Sequence, residues 1–208
     1  MGILKKQYII DSAFIKEPWK KLTYSDIQKI TKKRSKGYIY NALKRLIDER
    51  IILTEKVGKS ILYSLNLSSI SAQSYMGFLH EYISWNQKHI PLQIIEKIRN
   101  KIPTKFFILL LTGSYAKKNQ TKTSDLDIVI ICDDCFDTKK IMAQIEYESD
   151  ISIPKVHPYV FTKDQFLKML SDDGENYGKE TARHSSIFYG GSQYYSILNE
   201  AIKHGFRG

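Results

Sequence analysis

The fifteen residues from Gly113 to Asp127, GSYAKKNQTKTSDLD, hold the side chains best suited to chemistry. A Gly-Ser pair follows the apolar run Phe106–Leu111, and ten residues later Asp125 and Asp127 open a second run, Leu126–Cys132. A strand that ends in Gly-Ser offers backbone N–H groups and a hydroxyl at the mouth of a sheet, where a phosphate can be held. Two aspartates two apart on a strand share one face. Two carboxylates on one face can hold Mg²⁺ against substrate phosphates. The spacing therefore brings a phosphate cradle (Gly113, Ser114) and a metal site (Asp125, Asp127) together, with Lys117 or Lys118 able to reach phosphate from the connecting loop.

With Ser124 before the first aspartate and Ile128-Val129-Ile130 after the second, this segment resembles the signature of the polymerase-β-like nucleotidyltransferases, in particular their minimal single-domain members. The resemblance covers roughly residues 91–208. It implies an NTP held by Gly113 and Ser114, and two Mg²⁺ ions on Asp125 and Asp127 if the protein is active. It also implies a third carboxylate on a later strand. The matching strand is Lys155–Phe161, and the position where the acid is expected reads His157. A neutral imidazole can act as a base near pH 7 but is a poor Mg²⁺ ligand beside carboxylate oxygen. Glu146, Glu148 or Asp150 would replace it only if the strand register differed.

The elements that must position these groups are read from patterning. Strands alternate with helices after residue 91, which predicts an α/β (α+β) sandwich: a mixed sheet with helices. Its helices are expected from Asp137 to about Ser149, over Lys163–Leu170, over Asn176–Ser185 and over Ser192–His204, with Ile187–Tyr189 as an edge strand. Ser71–Gln87 and Pro91–Ile102 read as two earlier helices. The first is taken as a connector (residues 71–90) and dimerisation helix.

Residues 1–70 hold 15 Lys/Arg against 6 Asp/Glu, a net of +9, whereas the whole chain of 208 residues has a net charge of +10. A basic surface confined to one region is the footprint of a polyanion partner. The region predicts a helix over Lys6–Ile15 and a second opened by Thr23 as N-cap. A third runs from Ser35 to about Arg50, with Ile39, Leu43, Leu46 and Ile47 as its buried stripe. A hairpin follows, turning at Gly58. This pattern resembles a winged helix-turn-helix over Lys6 to Leu67, which implies binding to double-stranded DNA, most simply as a homodimer. The third helix would read it with Lys36, Tyr38, Tyr40 and Asn41 near base edges and Lys44 and Arg45 at phosphates. Lys56 and Lys59 would sit at the wing tip.

No apolar run is long enough to span a membrane, and no apolar stretch follows Lys5 and Lys6, so a cytoplasmic protein is expected. Cys132 and Cys135 read as two reduced thiols at a strand end. Three functions fit: a DNA-binding nucleotidyltransferase acting on a protein, nucleic acid or small-molecule hydroxyl; a transcription regulator whose nucleotidyltransferase domain only senses a nucleotide such as ATP; and the antitoxin of a toxin–antitoxin pair with a helical toxin partner.

Overall fold

The computed structural model describes residues 8–208. The start of the helix expected from Lys6, and the Lys5-Lys6 pair, lie outside the described residues. In chain order the elements begin with α1 (Tyr8–Asp11), a 3₁₀ turn (Ser12–Phe14), β1 (Leu22–Thr23), α2 (Tyr24–Thr31), α3 (Lys36–Asp48), β2 (Ile52–Val57) and β3 (Ser60–Leu65). Two helices follow, α4 (Ile70–Trp85) and α5 (Leu92–Lys101). Then come β4 (Phe107–Leu111), α6 (Gly113–Lys117), β5 (Leu126–Cys132), α7 (Thr138–Ile151) and β6 (Val156–Thr162). The chain ends with α8 (Lys163–Ser171), α9 (Tyr177–Arg183), β7 (Ser186–Tyr189) and α10 (Gly191–Lys203). The architecture is mixed α/β with two sheets.

Local chemistry sets the helix starts. Thr23 and Asp26 form a reciprocal capping box at α2, and Ser35 caps α3 by accepting from the Tyr38 N–H. Thr162 and Gln165 repeat the box at α8, and Asp137 caps α7. Gly58 turns the β2–β3 hairpin with φ +59°. β1, a strand of two residues too short to show a period, pairs with β3 and completes an antiparallel sheet in the order β1-β3-β2. Ile47 leaves the predicted buried stripe: it is exposed, because Ile39, Ala42, Leu43 and Leu46 already fill the inner face of α3.

The second sheet runs β6-β5-β4-β7. β4 pairs antiparallel with β5 and β7, and β5 pairs parallel with β6 through the α7 crossover. Its central strands are buried on both faces, as their unbroken apolar runs require. One face, with Ile108, Leu110, Val129 and Ile131, meets Phe166, Tyr195 and Leu198 of α8 and α10. The other, with Leu109, Leu111, Ile128 and Ile130, meets Ile95 and Ile98 of α5 and Ile141 and Ile145 of α7.

α4 is more than a connector. A Cβ on Gly77 would lie 2.4 Å from the Ser192 backbone nitrogen, so the helix packs backbone to backbone on the start of α10. The Trp85 indole donates to the Phe188 carbonyl of β7 at 2.8 Å, and Glu81 accepts from the Gly191 N–H at 2.6 Å. Its opposite end meets the N-terminal unit, where the Tyr75 hydroxyl donates to the buried Asp11. One apolar core consequently runs unbroken from Ile10 through Met76 and Leu79 to Phe206.

Candidate functional site

The site forms where β4 ends and β5 begins. β4 and β5 are in register from Leu111↔Ile128, and the Thr112 N–H extends the ladder to the Asp127 carbonyl at 2.9 Å. The chain then turns into α6, which replaces the expected loop. Gly113 makes this turn with φ +66°, and a Cβ there would lie 2.0 Å from Asp127 Oδ2. Only glycine allows the start of α6 and the Asp127 carboxylate to occupy adjacent space. Ser114 follows at the first turn of α6, and its hydroxyl has no hydrogen-bond partner among the described residues. Ser124 supports the approach to Asp125: its Oγ accepts from the Thr121 N–H at 2.8 Å and closes the turn before β5.

The β5–β6 register puts His157 directly beside Asp127. Its imidazole faces both acids, with Nε2 3.6 Å from Asp125 Oδ2 and Nδ1 3.9 Å from Asp127 Oδ1. The position expected for a third acid thus does lie at the aspartate pair and is held by histidine. Glu146, Glu148 and Asp150 belong to α7, and Glu148 pairs with Lys101 at 3.6 Å. Burial lifts the Asp127 carboxyl above the ordinary carboxylate range. His157 and Lys117 oppose that shift, and Asp125 and Glu180 add to it.

Glu180, on α9, was missed by sequence reasoning. It reaches the site from more than fifty residues away and accepts from Lys117 Nζ at 2.7 Å. This contact, first among its causes, holds the Glu180 carboxyl below its usual value. Lys117 is thereby engaged, whereas Lys118 caps α6 in a left-handed conformation and stays exposed. Tyr177 also comes from α9, with its ring 4.7 Å from that of Tyr159 on β6. No pattern in the sequence marks either residue, because α9 is brought here by packing against α8 and not by a local repeat.

Among the described residues no group of three or more His, Cys, Asp or Glu forms a metal cluster. Two adjacent carboxylates suit a divalent ion that takes its remaining oxygens from phosphate and water, which is how Mg²⁺ is commonly held. The donor set of Asp125 and Asp127 therefore fits Mg²⁺. His157 adds nitrogen rather than oxygen.

In the N-terminal unit, Lys36, Tyr40, Asn41 and Lys44 on α3 and Lys56 and Lys59 on the hairpin are exposed, as expected. Two of the expected contacts face elsewhere. The Arg45 guanidinium pairs with Asp11, which is fully buried, and Tyr38 packs against the core on the same helix face. Residues seven apart lie on one side of a helix, and here that side looks toward α1.

Residues 86–180 match the family model described as "Nucleotidyltransferase domain". Over that stretch the chain is similar to nucleotidyltransferase domains, and the match spans Gly113, Ser114, Asp125, Asp127, His157 and Glu180. Among solved structures, the chain is similar to one described as "Crystal structure of the toxin-antitoxin with AMP-PNP". The two share 12% identity over 55% of this chain and 87% of that chain, with a TM-score of 0.37. No curated protein matches the sequence. No helix among the described residues is long and apolar enough to cross a membrane.

Proposed function

We propose that this protein is a Mg²⁺-dependent nucleotidyltransferase joined to a DNA-binding winged helix, with residues 1–70, 71–90 and 91–208 as DNA-binding unit, connector and catalytic domain. The observation that carries the catalytic reading is the contact between Gly113 and Asp127, which makes phosphate cradle and carboxylate pair one site. The Ser114 hydroxyl and the first N–H groups of α6 hold the phosphates of an NTP such as ATP. Mg²⁺ on Asp125 and Asp127 would neutralise charge on the reacting phosphate. An acceptor hydroxyl oxygen bonds to the α-phosphorus, the bridging bond to the β-phosphate breaks, and pyrophosphate leaves. The His157 imidazole lies where it can take the acceptor proton.

A second reading has its own support. With His157 in place of a third carboxylate, the same site binds nucleotide without fast transfer, and the domain serves as a nucleotide sensor for a transcription regulator.

The test common to both readings is calorimetry with Mg²⁺ and ATP on wild type and on Asp125→Asn/Asp127→Asn. Metal-dependent binding should be abolished in the double variant with unfolding unchanged. Equal affinity in the two proteins would remove the nucleotide site from this location.

The DNA-binding reading rests on the +9 charge of residues 1–70 and on the exposed Lys36, Tyr40, Asn41 and Lys44 of α3. Duplex DNA bound by a homodimer is the partner that this face suits best.

A further inference from the structure

A cavity of about 540 Å³ opens at the far end of α6 from Gly113. Its volume lies within the range of small-ligand pockets. It is walled by segments far apart in sequence: the residues after the 3₁₀ turn, α4, the end of α6, and the α9–β7 connection. Lys16, Lys117, Lys118 and Arg183 line it, and no carboxylate is among its lining residues. Lys117 is paired with Glu180, and Arg183 with Glu175 at 2.5 and 2.9 Å. Lys16 and Lys118 have no carboxylate partner among the described residues. Ile83 and Tyr194 add apolar wall, which weakens screening of charge inside.

Distance along α6 links this cavity to the catalytic aspartates. α6 has five residues and is thus roughly 7 Å long. A triphosphate is of comparable length, so a chain whose α-phosphate sat at Ser114 and Asp127 would be long enough to reach Lys118 if it ran along α6. Beyond Lys118 the wall belongs to the N-terminal unit, through Lys16.

We propose that this cavity is a polyphosphate site, in which Lys118, at the C-terminal end of α6, and Lys16 of the N-terminal unit together grip the terminal phosphates of a nucleotide or the pyrophosphate released from it. The inference rests on the nucleotide reading above for its link to catalysis. It assigns Lys16 a role that no motif marked, and it makes nucleotide occupancy a direct contact between the two halves of the chain. A filled cavity ties the residues preceding α2 and α3 to α6.

Calorimetry on the full chain with pyrophosphate in EDTA reads this cavity without the metal-dependent site. Wild type should bind. Lys16→Ala and Lys118→Ala should each weaken binding about fivefold or more, while Asp125→Asn/Asp127→Asn should bind at least as well as wild type. Both lysines are exposed, so neither variant should unfold the protein. No pyrophosphate binding by wild type, or equal binding by wild type and both lysine variants, overturns the inference. Titration with Mg²⁺ and ATP separates this from the nucleotide reading. Binding of ATP that needs the aspartates, with no binding of pyrophosphate, fails the cavity alone. Binding of pyrophosphate that needs the lysines, with ATP indifferent to the aspartates, fails the nucleotide reading and keeps the cavity as an anion site. If the lysine variants weaken ATP but not AMP, the occupant is the tail of the bound triphosphate. If they weaken pyrophosphate alone, it is the released product.

Discussion

At the scale of single residues, Gly113 and His157 are the positions where the proposed site is most directly tested. Gly113→Ala would place a methyl group 2.0 Å from Asp127 Oδ2 in a backbone conformation with φ +66°. Such backbone strain costs about 1–3 kcal/mol, and the carboxylate must move as well. Expected is a loss of ATP affinity of about tenfold or more with a lowered melting temperature, read by calorimetry and thermal unfolding. An unchanged affinity would mean that Asp127 does not need this position. His157→Asp should raise Mg²⁺ affinity and the rate of nucleotide transfer, because it supplies oxygen at the place where the imidazole now faces both acids. It should also lower stability in EDTA, where three neighbouring carboxylates repel one another. A transfer rate that falls in this variant would show that the imidazole's work as base outweighs the gain of a metal-ligating oxygen. A rate that does not change would mean that the β6 position is not in the reaction.

At the scale of elements, α3 has two faces with different work. Lys44 is exposed, and Arg45, one residue on, points inward to Asp11. Burial raises the Asp11 carboxyl above its usual value, and the bonds from Tyr75 and Arg45 oppose that shift. Lys44→Ala should leave stability unchanged and flatten the salt dependence of DNA binding by roughly one unit. Arg45→Ala should instead destabilise the fold, by on the order of 3 kcal/mol, by leaving a buried carboxylate with one partner fewer. Filter binding at several salt concentrations and urea unfolding of the two variants check this pair of outcomes. A Lys44→Ala variant with the wild-type slope would take α3 away from the phosphates. The same cluster ties α3 to α4 through Tyr75, so the proposed DNA-reading helix is anchored to the helix that packs on β7 and α10.

At the scale of the whole molecule, His80 reports the packing of α4 on α10. It lies on α4, 8% exposed, with Nδ1 3.4 Å from the Tyr195 hydroxyl of α10. Burial depresses its pKa to about 4, against the smaller opposing effect of a bond to the Ser185 backbone. A histidine with a depressed folded value binds protons more readily when unfolded. Stability is therefore full above the unfolded value near 6.5 and falls as pH drops toward 4, by about 3 kcal/mol over the window. Urea unfolding of wild type and His80→Gln at pH 7.5, 5.5 and 4.5 isolates this group, because other titrations are common to both proteins. The difference between them should narrow as pH falls. A constant difference would mean that His80 titrates normally.

Much of this molecule was legible in the chain before folding. The apolar runs at Phe106–Leu111 and Leu126–Cys132 announce doubly buried strands, since only such strands tolerate no alternation, although Phe106 itself lies outside the strand and is exposed. The caps at Thr23, Ser35 and Asp137 mark helix starts through side chains that bond their own backbone. Asp125, Asp127 and Gly113 were readable because strand period and a short turn link them within fifteen residues. His157 was expected near the aspartates through the family resemblance, and the parallel β5–β6 register puts it beside Asp127. Side-chain direction and long-range approach were not readable. That Arg45 and Tyr38 turn inward depends on where α1 lies, that Glu180 meets Lys117 depends on how α9 packs, and that Lys16 and Lys118 line one cavity depends on α4 joining both halves. Sequence patterning specifies contacts within a few turns or one strand pair. Contacts between distant segments are decided by which buried surfaces fit together, and that fit exists only in the folded chain.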